Sequence, residues 1–346
     1  MDSITQITLG AAVGVAVMGR RTAVWKAALW GAIGGTLPDL DAFIDHGDAI
    51  LNMTRHRAES HSLLMLTLLA PAMAWLVSRL HREPASFKRW WLALWLVLIT
   101  HPLLDTMTVY GTQLLQPLTD HPFAIGSVFI IDPAYTLALL IGVIVALSMK
   151  SARALAWNAA GLALSTLYLA WSFCAQQYVT QIARASLQQQ GIEAQGLLVT
   201  PAPFNTVLWR LVAMTPTHYR EGYYSLLDDD PHIEWTLHDR GAALMSQHGH
   251  DPYLARIAAF SHGFYSVSLD DENLFVTDLR MGQEPNYTFR FNLGTDAARA
   301  HGGHRPTLAG SRPDLERALP WLWRRLWGER VPPMSFMSER ARPLEP

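Results

Sequence analysis

The sequence has little cysteine and little charge, and these two shortages limit the kinds of site and partner that we expect. Cys174 is the single cysteine in 346 residues, which excludes an internal disulfide and a metal site built from several thiolates. Charged residues make up 16% of the chain, against about 25% in an average soluble domain. The formal net charge of -2 gives no basic excess, so we predict that nucleic acid is not a partner.

The charge shortage is concentrated in the first half, where apolar runs alternate with short polar loops. The N-terminus lacks the basic residues of a cleaved secretory signal, so we expect the first run to be retained. The runs are Ile4–Met18, Ala27–Leu37, Ser62–Leu80, Trp90–Leu104, Ala134–Met149 and Ala154–Cys174. This pattern predicts an all-α polytopic membrane domain of about six helices, over residues 1–178.

Two features of these runs leave alternatives open. Ala27–Leu37 is shorter than the roughly 20 residues that a span needs, so it is either a span that begins near Thr22 or a buried or tilted helix. Gly10 and Gly14 have the G-x-x-x-G spacing that lets membrane helices pack closely. Small residues are also common in such helices without any packing role.

The distribution of basic residues between the loops predicts the orientation of this domain. The first, third and fifth loops carry three, four and two Lys/Arg, and Lys150 is one of the last two. The second loop carries Arg55 and Arg57, and the fourth carries none. Because basic loops stay in the cytoplasm, we predict a multi-pass protein whose N-terminus, even-numbered loops and C-terminal domain face the outside. That side is the periplasm if the source is a Gram-negative bacterium.

From about Val179 the pattern changes, and residues 179–346 predict a small soluble α+β domain with a mainly antiparallel sheet. Strand patterns cover Leu197–Thr200, Thr206–Met214, Gly222–Leu227, Ile233–Leu237, Tyr265–Leu269, Leu274–Leu279 and Tyr287–Asn292. Asp270–Asn273 predicts a hairpin turn. Helical patterns cover Ala242–His248, Tyr253–Phe260 and Asp314–Trp327.

Two groups of residues in this half have more than one interpretation. Trp321, Trp323 and Trp327 alternate with arginines, as in a helix that rests on lipid headgroups, although packing against the sheet is the commoner arrangement. The scattered histidines are interpreted as surface or turn residues: His232, His238, His248, His250, His262, His301 and His304.

Aspartates and histidines cluster at predicted helix ends in the first half. The clusters are Asp39 with Asp41, His56 with His61, and His101 with Asp105. His101 and Asp105 are four positions apart, so their side chains share one face of a helix. The predicted orientation places every cluster at the same membrane face. Ionisable residues at membrane depth are costly and persist mainly where they face protein, water or a metal.

These residue types predict a metal centre. Imidazole and carboxylate donors without thiolate suit a divalent metal, zinc first, with manganese or iron as alternatives. Six donors exceed the need of one tetrahedral ion and would fill a two-metal site with ions about 3.5–4 Å apart. The predicted metal ligands are Asp39, Asp41, His56, His61, His101 and Asp105. The predicted general base is Glu59, with any carboxylate that is not bound to metal as the alternative, and Arg57 is predicted to steady an anionic substrate group.

Taken singly, each cluster also has an ordinary explanation. A histidine and an aspartate four apart occur by chance and often form a surface pair. Asp39 and Asp41 could cap or solvate a loop, and His56-Arg57 could contact lipid headgroups. Asp45, His46 and Asp48 are either supporting groups or loop residues.

The combined pattern resembles the YdjM-like family of bacterial inner-membrane proteins, which are regarded as metal-dependent hydrolases. The resemblance covers roughly the first 120 residues. It is carried by Asp2…Thr5, Gly10, Pro38-Asp39-Leu40-Asp41, His56-Arg57, His61-Ser62-Leu63-Leu64, His101…Leu104-Asp105 and Tyr110-Gly111-Thr112. Segments near Pro203-Phe204-Asn205 and Gly222-Tyr223-Tyr224 also look like the C-terminal part of such proteins. Family members commonly have a histidine where this chain has Gln6.

The resemblance implies an integral membrane hydrolase in which one or two metal ions activate water. The order of its motifs is also similar to a thinned version of zinc-dependent phospholipase C, which implies a phosphoester substrate. The position of the site at a membrane face favours a lipid-linked or amphiphilic molecule. The alternative is a non-enzymatic membrane protein with a structural metal clip and a partner-binding domain.

Overall fold

The computed structural model describes residues 1–149, 151–300 and 305–335. Lys150, His301 and His304 lie outside the described residues. The chain divides into two compact units, and the first comprises Met1–Ile44, Arg55–Cys174 and Pro203–Asn205. The second comprises Asp45–Thr54, Ala175–Ala202 and the described residues from Thr206 onwards.

The first half of the chain is helical, as the sequence predicts. Its α-helices are α1 (Ser3–Met18), α2 (Val24–Thr36), α3 (Ala49–Arg55), α4 (Leu63–Leu80), α5 (Phe87–Thr106), α6 (Pro133–Ser148) and α7 (Ala152–Gln189). Short 3-10 helices cover Pro38–Phe43, Glu59–His61 and Pro84–Ser86. Two of the unit boundaries fall within helices, one in α3 and one in α7.

Within the described residues, α4 is the helix that is both long enough and apolar enough to cross a membrane. The helices α1 and α6 are apolar but shorter. The helix α2 has 13 residues, or about 20 Å at 1.5 Å per residue, against a hydrocarbon core of about 30 Å. The number of spans therefore stays a prediction.

The helices α1 and α2 pack backbone to backbone. A Cβ atom on Gly10 or on Gly31 would overlap the carbonyl oxygen of the other residue. A Cβ on Gly14 would lie 2.5 Å from the carbonyl oxygen of Ala27, and one on Gly35 the same distance from that of Gln6. Only glycine permits such an approach, so the G-x-x-x-G spacing has a packing role in both helices.

The buried face of α5 continues directly into the candidate site. Trp90, Leu94 and Leu98 are at most 1% exposed and follow a four-residue spacing. His101 and Asp105 prolong the same face and are 1% and 0% exposed. The hydrophobic stripe that seats α5 against its neighbours thus also brings these two polar side chains inside the first unit.

The second unit contains short antiparallel sheets and helices, which confirms the mainly antiparallel prediction. The strands β1 (Gly196–Pro201), β2 (Leu208–Met214), β3 (His218–Ser225) and β4 (Thr236–Asp239) form one sheet in that order. The helices are α8 (Ala242–Gln247), α9 (Pro252–Phe260), α10 (Asp296–Ala300) and α11 (Leu315–Leu326). The other strands are β5 (Tyr265–Asp270), β6 (Asn273–Asp278), β7 (Gly282–Gln283), β8 (Asn286–Tyr287), β9 (Arg290–Asn292) and β10 (Thr307–Leu308).

Local sequence explains the pairing within these sheets. The second sheet has the order β10-β9-β6-β5, and β7 pairs with β8. Asp270 pairs with Asn273 across the predicted hairpin turn. The two turn residues, Asp271 and Glu272, have φ values of 46° and 65°, which is the backbone that a tight two-residue hairpin needs.

The first sheet packs on the part of α7 that belongs to the second unit. Val179 and Ala183 of α7 share a buried cluster with Trp209 and Leu211 of β2. An ion pair lies buried in the same sheet, where Nε of Arg210 donates to Oε1 of Glu221 at 2.6 Å.

Candidate metal centre

The aspartates that follow α2 are placed by a change of helix type. The α-helix ends at Thr36, and the chain continues as the 3-10 helix Pro38–Phe43. Proline suits this first position because its fixed φ is compatible with a helix and its missing N–H is not needed there. The tighter helix carries Asp39, which is 17% exposed at its side chain, and Asp41, which is 6% exposed.

His61 is buried two positions before the first residue of α4. Ser62 caps α4 by accepting a hydrogen bond from the amide nitrogen of Met65, which is what a serine at a helix start commonly does. His61 ends the preceding 3-10 helix, Glu59–His61, and its side chain is 0% exposed.

Four side chains converge on one point: Asp39, His61, His101 and Asp105. They come from the 3-10 helix after α2, the 3-10 helix before α4, and α5. The Nε2 atoms of His61 and His101 are 3.1 Å apart. Oδ1 of Asp39 lies 3.3 Å from Nε2 of His61 and 3.5 Å from Nε2 of His101. Oδ2 of Asp105 lies at the same two distances from these nitrogens. The four donor atoms all lie within 4.8 Å of one another.

Five of the six distances between the donor atoms are those of a tetrahedral metal site, and the sixth, between the two carboxylate oxygens, is within 4.8 Å. Nitrogen and oxygen ligands bind zinc at about 2.0–2.1 Å, which corresponds to tetrahedral edges of about 3.3–3.4 Å between donors. The five measured edges lie between 3.1 and 3.5 Å. In the described residues, Oδ1 of Asp39 and Oδ2 of Asp105 are buried and receive no hydrogen bond. The residues present therefore fit a divalent ion.

Hydrogen bonds on the far side of each imidazole direct its Nε2 lone pair into the cluster. Nδ1 of His101 lies 2.7 Å from the carbonyl oxygen of Gly35. A carbonyl can only accept, so we assign the proton of the neutral ring to Nδ1. Nδ1 of His61 lies 2.8 Å from Oγ of Ser60. Two bare nitrogens beside two carboxylate oxygens form an electron-rich centre that a cation would stabilise.

Ser60 joins His61 to a carboxylate outside the cluster. Its hydroxyl donates to Oδ2 of Asp41 at 2.5 Å, so its oxygen is left to accept from Nδ1–H of His61. Oδ2 of Asp41 is itself 3.6 Å from that nitrogen. A histidine ligand backed by a carboxylate in this way is held in one orientation and is a stronger donor.

Asp105 is held by groups that all contact its other oxygen, Oδ1. The amino nitrogen of Met1 donates to this oxygen, Nε2 of Gln6 donates at 3.1 Å, and Nη2 of Arg57 lies 3.3 Å away. Gln6 also donates to the carbonyl oxygen of His101 at 3.3 Å. These contacts leave Oδ2 to face the imidazoles.

Arg57 is buried and engaged by protein groups. Its guanidinium contacts Asp105, donates from Nη1 to Oγ1 of Thr108 at 3.3 Å, and lies 4.9 Å from the ring centre of Tyr110. Its backbone N–H donates to Oδ2 of Asp41 at 2.9 Å. This arrangement requires a φ of 65°, which is uncommon for a residue with a side chain.

The structure thus brings four of the six predicted ligands together and places the other two beside them. Asp41 and His56 form a separate pair, with Nδ1 of His56 2.7 Å from Oδ1 of Asp41. His56 is 25% exposed. Glu59, the predicted general base, is exposed in the short helix that ends at His61.

The carboxyl groups that follow α2 are held ionised. Burial raises the pKa of Asp39, but in the absence of a metal the protonated forms of His101 and His61 donate to it, outweigh burial and bring the pKa well below its usual value. Burial also raises the pKa of Asp41, and the contact with His56 outweighs it, so the pKa is lowered. The ionised carboxylate is the form that binds a metal.

Sequence reasoning missed the groups that orient the ligands. Ser60 carries no motif beyond its position next to His61. The carbonyl of Gly35 has no side-chain signal, since the small-residue spacing of its helix indicates only the packing against α1. For Gln6 the sequence did contain a signal, because related proteins commonly have a histidine at this position. The structure places Gln6 against Asp105.

Comparison with known proteins identifies the group to which the chain is related. A family model described as YdjM inner membrane protein matches residues 1–179, which is more than half of the chain. The chain belongs to the YdjM inner membrane protein family. All four clustered donors lie within the matched residues.

A curated relative in the comparison has no assigned activity. It is "Uncharacterized protein YfhP" of Bacillus subtilis (strain 168), which is 28% identical over 142 residues. The alignment covers 38% of this chain and 42% of that protein, so the chain spans less than half the length of this relative. No solved structure matches the chain.

Proposed function

We propose that this protein is an inner-membrane metal-dependent hydrolase. One divalent ion, zinc first and manganese or iron as alternatives, would be held by Nε2 of His61 and His101 and by carboxylate oxygens of Asp39 and Asp105. The observation that carries the proposal is the convergence of these four donors, whose two carboxylate oxygens are buried without a hydrogen bond.

The chemistry of the donors favours a catalytic ion over a purely structural one. Structural zinc sites are typically rich in cysteine, whereas catalytic sites use histidine and carboxylate ligands. When bound, such an ion lowers the pKa of a coordinated water to about 7 and stabilises negative charge on the reacting group. Asp39 is the most exposed of the four donors, so we place the substrate entrance beside it.

Apolar side chains next to Asp39 support an amphiphilic or lipid-linked substrate. Leu40 and Phe43 belong to the same 3-10 helix and are 49% and 87% exposed, and Ile44 follows it at 56%. A polar head could reach the ion while an apolar tail packs on these side chains. The family resemblance supports a phosphoester as the scissile group.

The remaining groups of the site have supporting roles in this proposal. Ser60 and Asp41 would orient His61, and Gly35 would orient His101. Glu59 keeps its predicted role as general base, since its exposed carboxylate lies close in sequence to His61. We place the site and the second unit on the periplasmic side, and the charge distribution of the loops supports this orientation.

The alternative function is a structural metal clip in a non-enzymatic membrane protein. One observation favours it. All four donors of the cluster are protein groups, and closed four-ligand sites are typical of structural ions. The ion would hold together the segment after α2, the start of α4 and the end of α5. The second unit would bind a partner.

Metal analysis and an activity panel separate these functions. The purified protein should contain about one ion per chain, and His101→Ala and Asp105→Ala should lose it while remaining folded. His121→Ala, outside the cluster, is the control. A content of two ions per chain would indicate that Asp41 and His56 are also metal ligands. Turnover of phosphodiester, ester or phospholipid substrates that chelation abolishes and metal restores supports the hydrolase, whereas an ion without any turnover supports the clip.

A further inference from the structure

The helix α11 uses one face to attach to the second unit. Trp321 and Arg325 are 3% and 7% exposed, and they are four positions apart. Arg325 pairs with both carboxylate oxygens of Asp228, at 2.5 and 2.6 Å, and donates to the carbonyl oxygen of Tyr223 at 2.9 Å. The ring of Trp321 packs edge-on against that of Tyr223.

The opposite side of α11 presents a row of exposed apolar side chains. Leu315 is 64% exposed and Leu319 48%. Trp323 and Trp327 are 61% and 59% exposed and contact each other edge-to-face, with ring centres 5.7 Å apart. Leu315, Leu319 and Trp323 follow a four-residue spacing within α11, and Trp327 follows at the same interval as the residue that ends the helix, so the four form one stripe. Because the other face is fixed by Arg325, the helix cannot turn this stripe inward.

Arginines flank the stripe. Arg317 and Arg324 are 56% and 52% exposed, and each has an exposed acidic neighbour, Asp314 and Glu329 respectively. Exposed pairs of this kind are weak and exchange partners readily. The guanidinium of Arg317, 3.6 Å from Asp314, is therefore available to anionic phosphate groups that approach the apolar stripe, whereas Arg324 makes two hydrogen bonds to Glu329.

We propose that α11 is a membrane-interface helix, whose stripe of Leu315, Leu319, Trp323 and Trp327 lies among the headgroups and shallow acyl carbons of the bilayer. Tryptophan and leucine on one side with arginine beside them are the composition of helices that lie in this interface. The chain belongs to an inner-membrane family, and the second unit is covalently joined to the helical first half through α7. A bilayer is therefore present at a high effective concentration, unlike a protein partner that must diffuse to the site.

Site-directed fluorescence in the full-length protein tests this placement. Cys174→Ser removes the single cysteine, and Leu319→Cys, Trp323→Cys and Arg317→Cys are then made one at a time and labelled with an environment-sensitive dye. Each protein is reconstituted into vesicles of phosphatidylethanolamine and phosphatidylglycerol, with and without lipids that carry a nitroxide on a shallow acyl carbon. Aqueous iodide is the quencher for exposed probes. All three positions are exposed, so the substitutions remove no buried contact.

We expect the nitroxide lipids to remove about half of the emission from the probes at 319 and 323, since such helices sit roughly 5–10 Å into the interface. The probe at 317 should respond more to iodide than to the nitroxide. Stripe probes that iodide quenches and nitroxide lipids do not would contradict the proposal. Stripe probes shielded from both quenchers would contradict it too, because the stripe would then be covered by protein, such as a second copy of the chain.

Discussion

Ser60 lies between His61 and a carboxylate, with its hydroxyl 2.8 Å from Nδ1 of the histidine and 2.5 Å from Oδ2 of Asp41. The hydroxyl donates to the carboxylate and accepts from the imidazole, so His61 has one orientation and one tautomer. The backbone carbonyl of Gly35 fixes the orientation and tautomer of His101 in the same way. The two halves of the site are thus oriented by different means, and each can be altered separately.

Replacing Ser60 by alanine should weaken metal binding without abolishing it. The change removes the link between His61 and Asp41 but leaves all four donors in place, and groups that orient a ligand typically contribute about 10- to 100-fold in affinity. Competition with a chromophoric chelator measures the dissociation constant. Ser148→Ala, at an exposed position, is the matched control. Unchanged affinity in Ser60→Ala would show that Asp41 orients His61 without the hydroxyl.

A methyl group on Gly31 should disturb both the helix pair and the site. Its Cβ would overlap the carbonyl oxygen of Gly10, so α1 and α2 must separate, at a cost of about 1–3 kcal/mol. The shift would also move Gly35, which orients His101. We expect Gly31→Ala to lower the melting temperature and the metal affinity together. Leu29→Ala, at a position of the same helix that is 45% exposed, is the control.

The fold was largely predictable because its signals are local. The apolar runs of the first half gave the positions of α1, α4, α5 and α6, and the Asp270–Asn273 turn gave the pairing of β5 with β6. The sequence could not predict that residues 45–54 join the second unit, since that depends on tertiary contacts. The number of membrane spans also depends on the bilayer and not on the helix pattern alone.

The site was predictable in its composition but not in its arrangement. The four-residue spacing of His101 and Asp105 placed two donors on one helix face, and the structure keeps them there. The division between the cluster and the Asp41–His56 pair has no signal in the sequence. It arises because Ser60 and the backbone of Arg57 both bind Oδ2 of Asp41, which holds this carboxylate behind His61.

Removing the charge of Glu221 should destabilise the second unit. Arg210 and Glu221 are 4% and 3% exposed at their side chains, and Glu221→Gln leaves the guanidinium buried without its counter-charge. Breaking one partner of a buried pair typically costs about 3–5 kcal/mol. Thermal unfolding, monitored by the susceptibility of the second unit to a protease, measures the effect. Glu234→Gln, at an exposed position, should be neutral. A Glu221→Gln protein as resistant as the parent would indicate that hydrogen bonds to Leu279 and Tyr287 suffice to hold Arg210.

Replacing Arg57 by glycine tests whether this arginine acts on the protein or on the substrate. Glycine accepts a φ of 65° without strain, so the backbone N–H can still donate to Asp41 while the guanidinium is lost. If the side chain mainly positions Asp105, metal affinity should fall by about 10- to 100-fold. The metal-free protein should also unfold at a lower temperature, because the buried carboxylate of Asp105 loses a positive neighbour. Arg55→Ala, at an exposed position nearby, is the control. Chelator competition and thermal unfolding measure both effects. An Arg57→Gly protein with normal metal affinity and stability, but weaker turnover of anionic substrates than of neutral ones, would instead assign the guanidinium to the substrate.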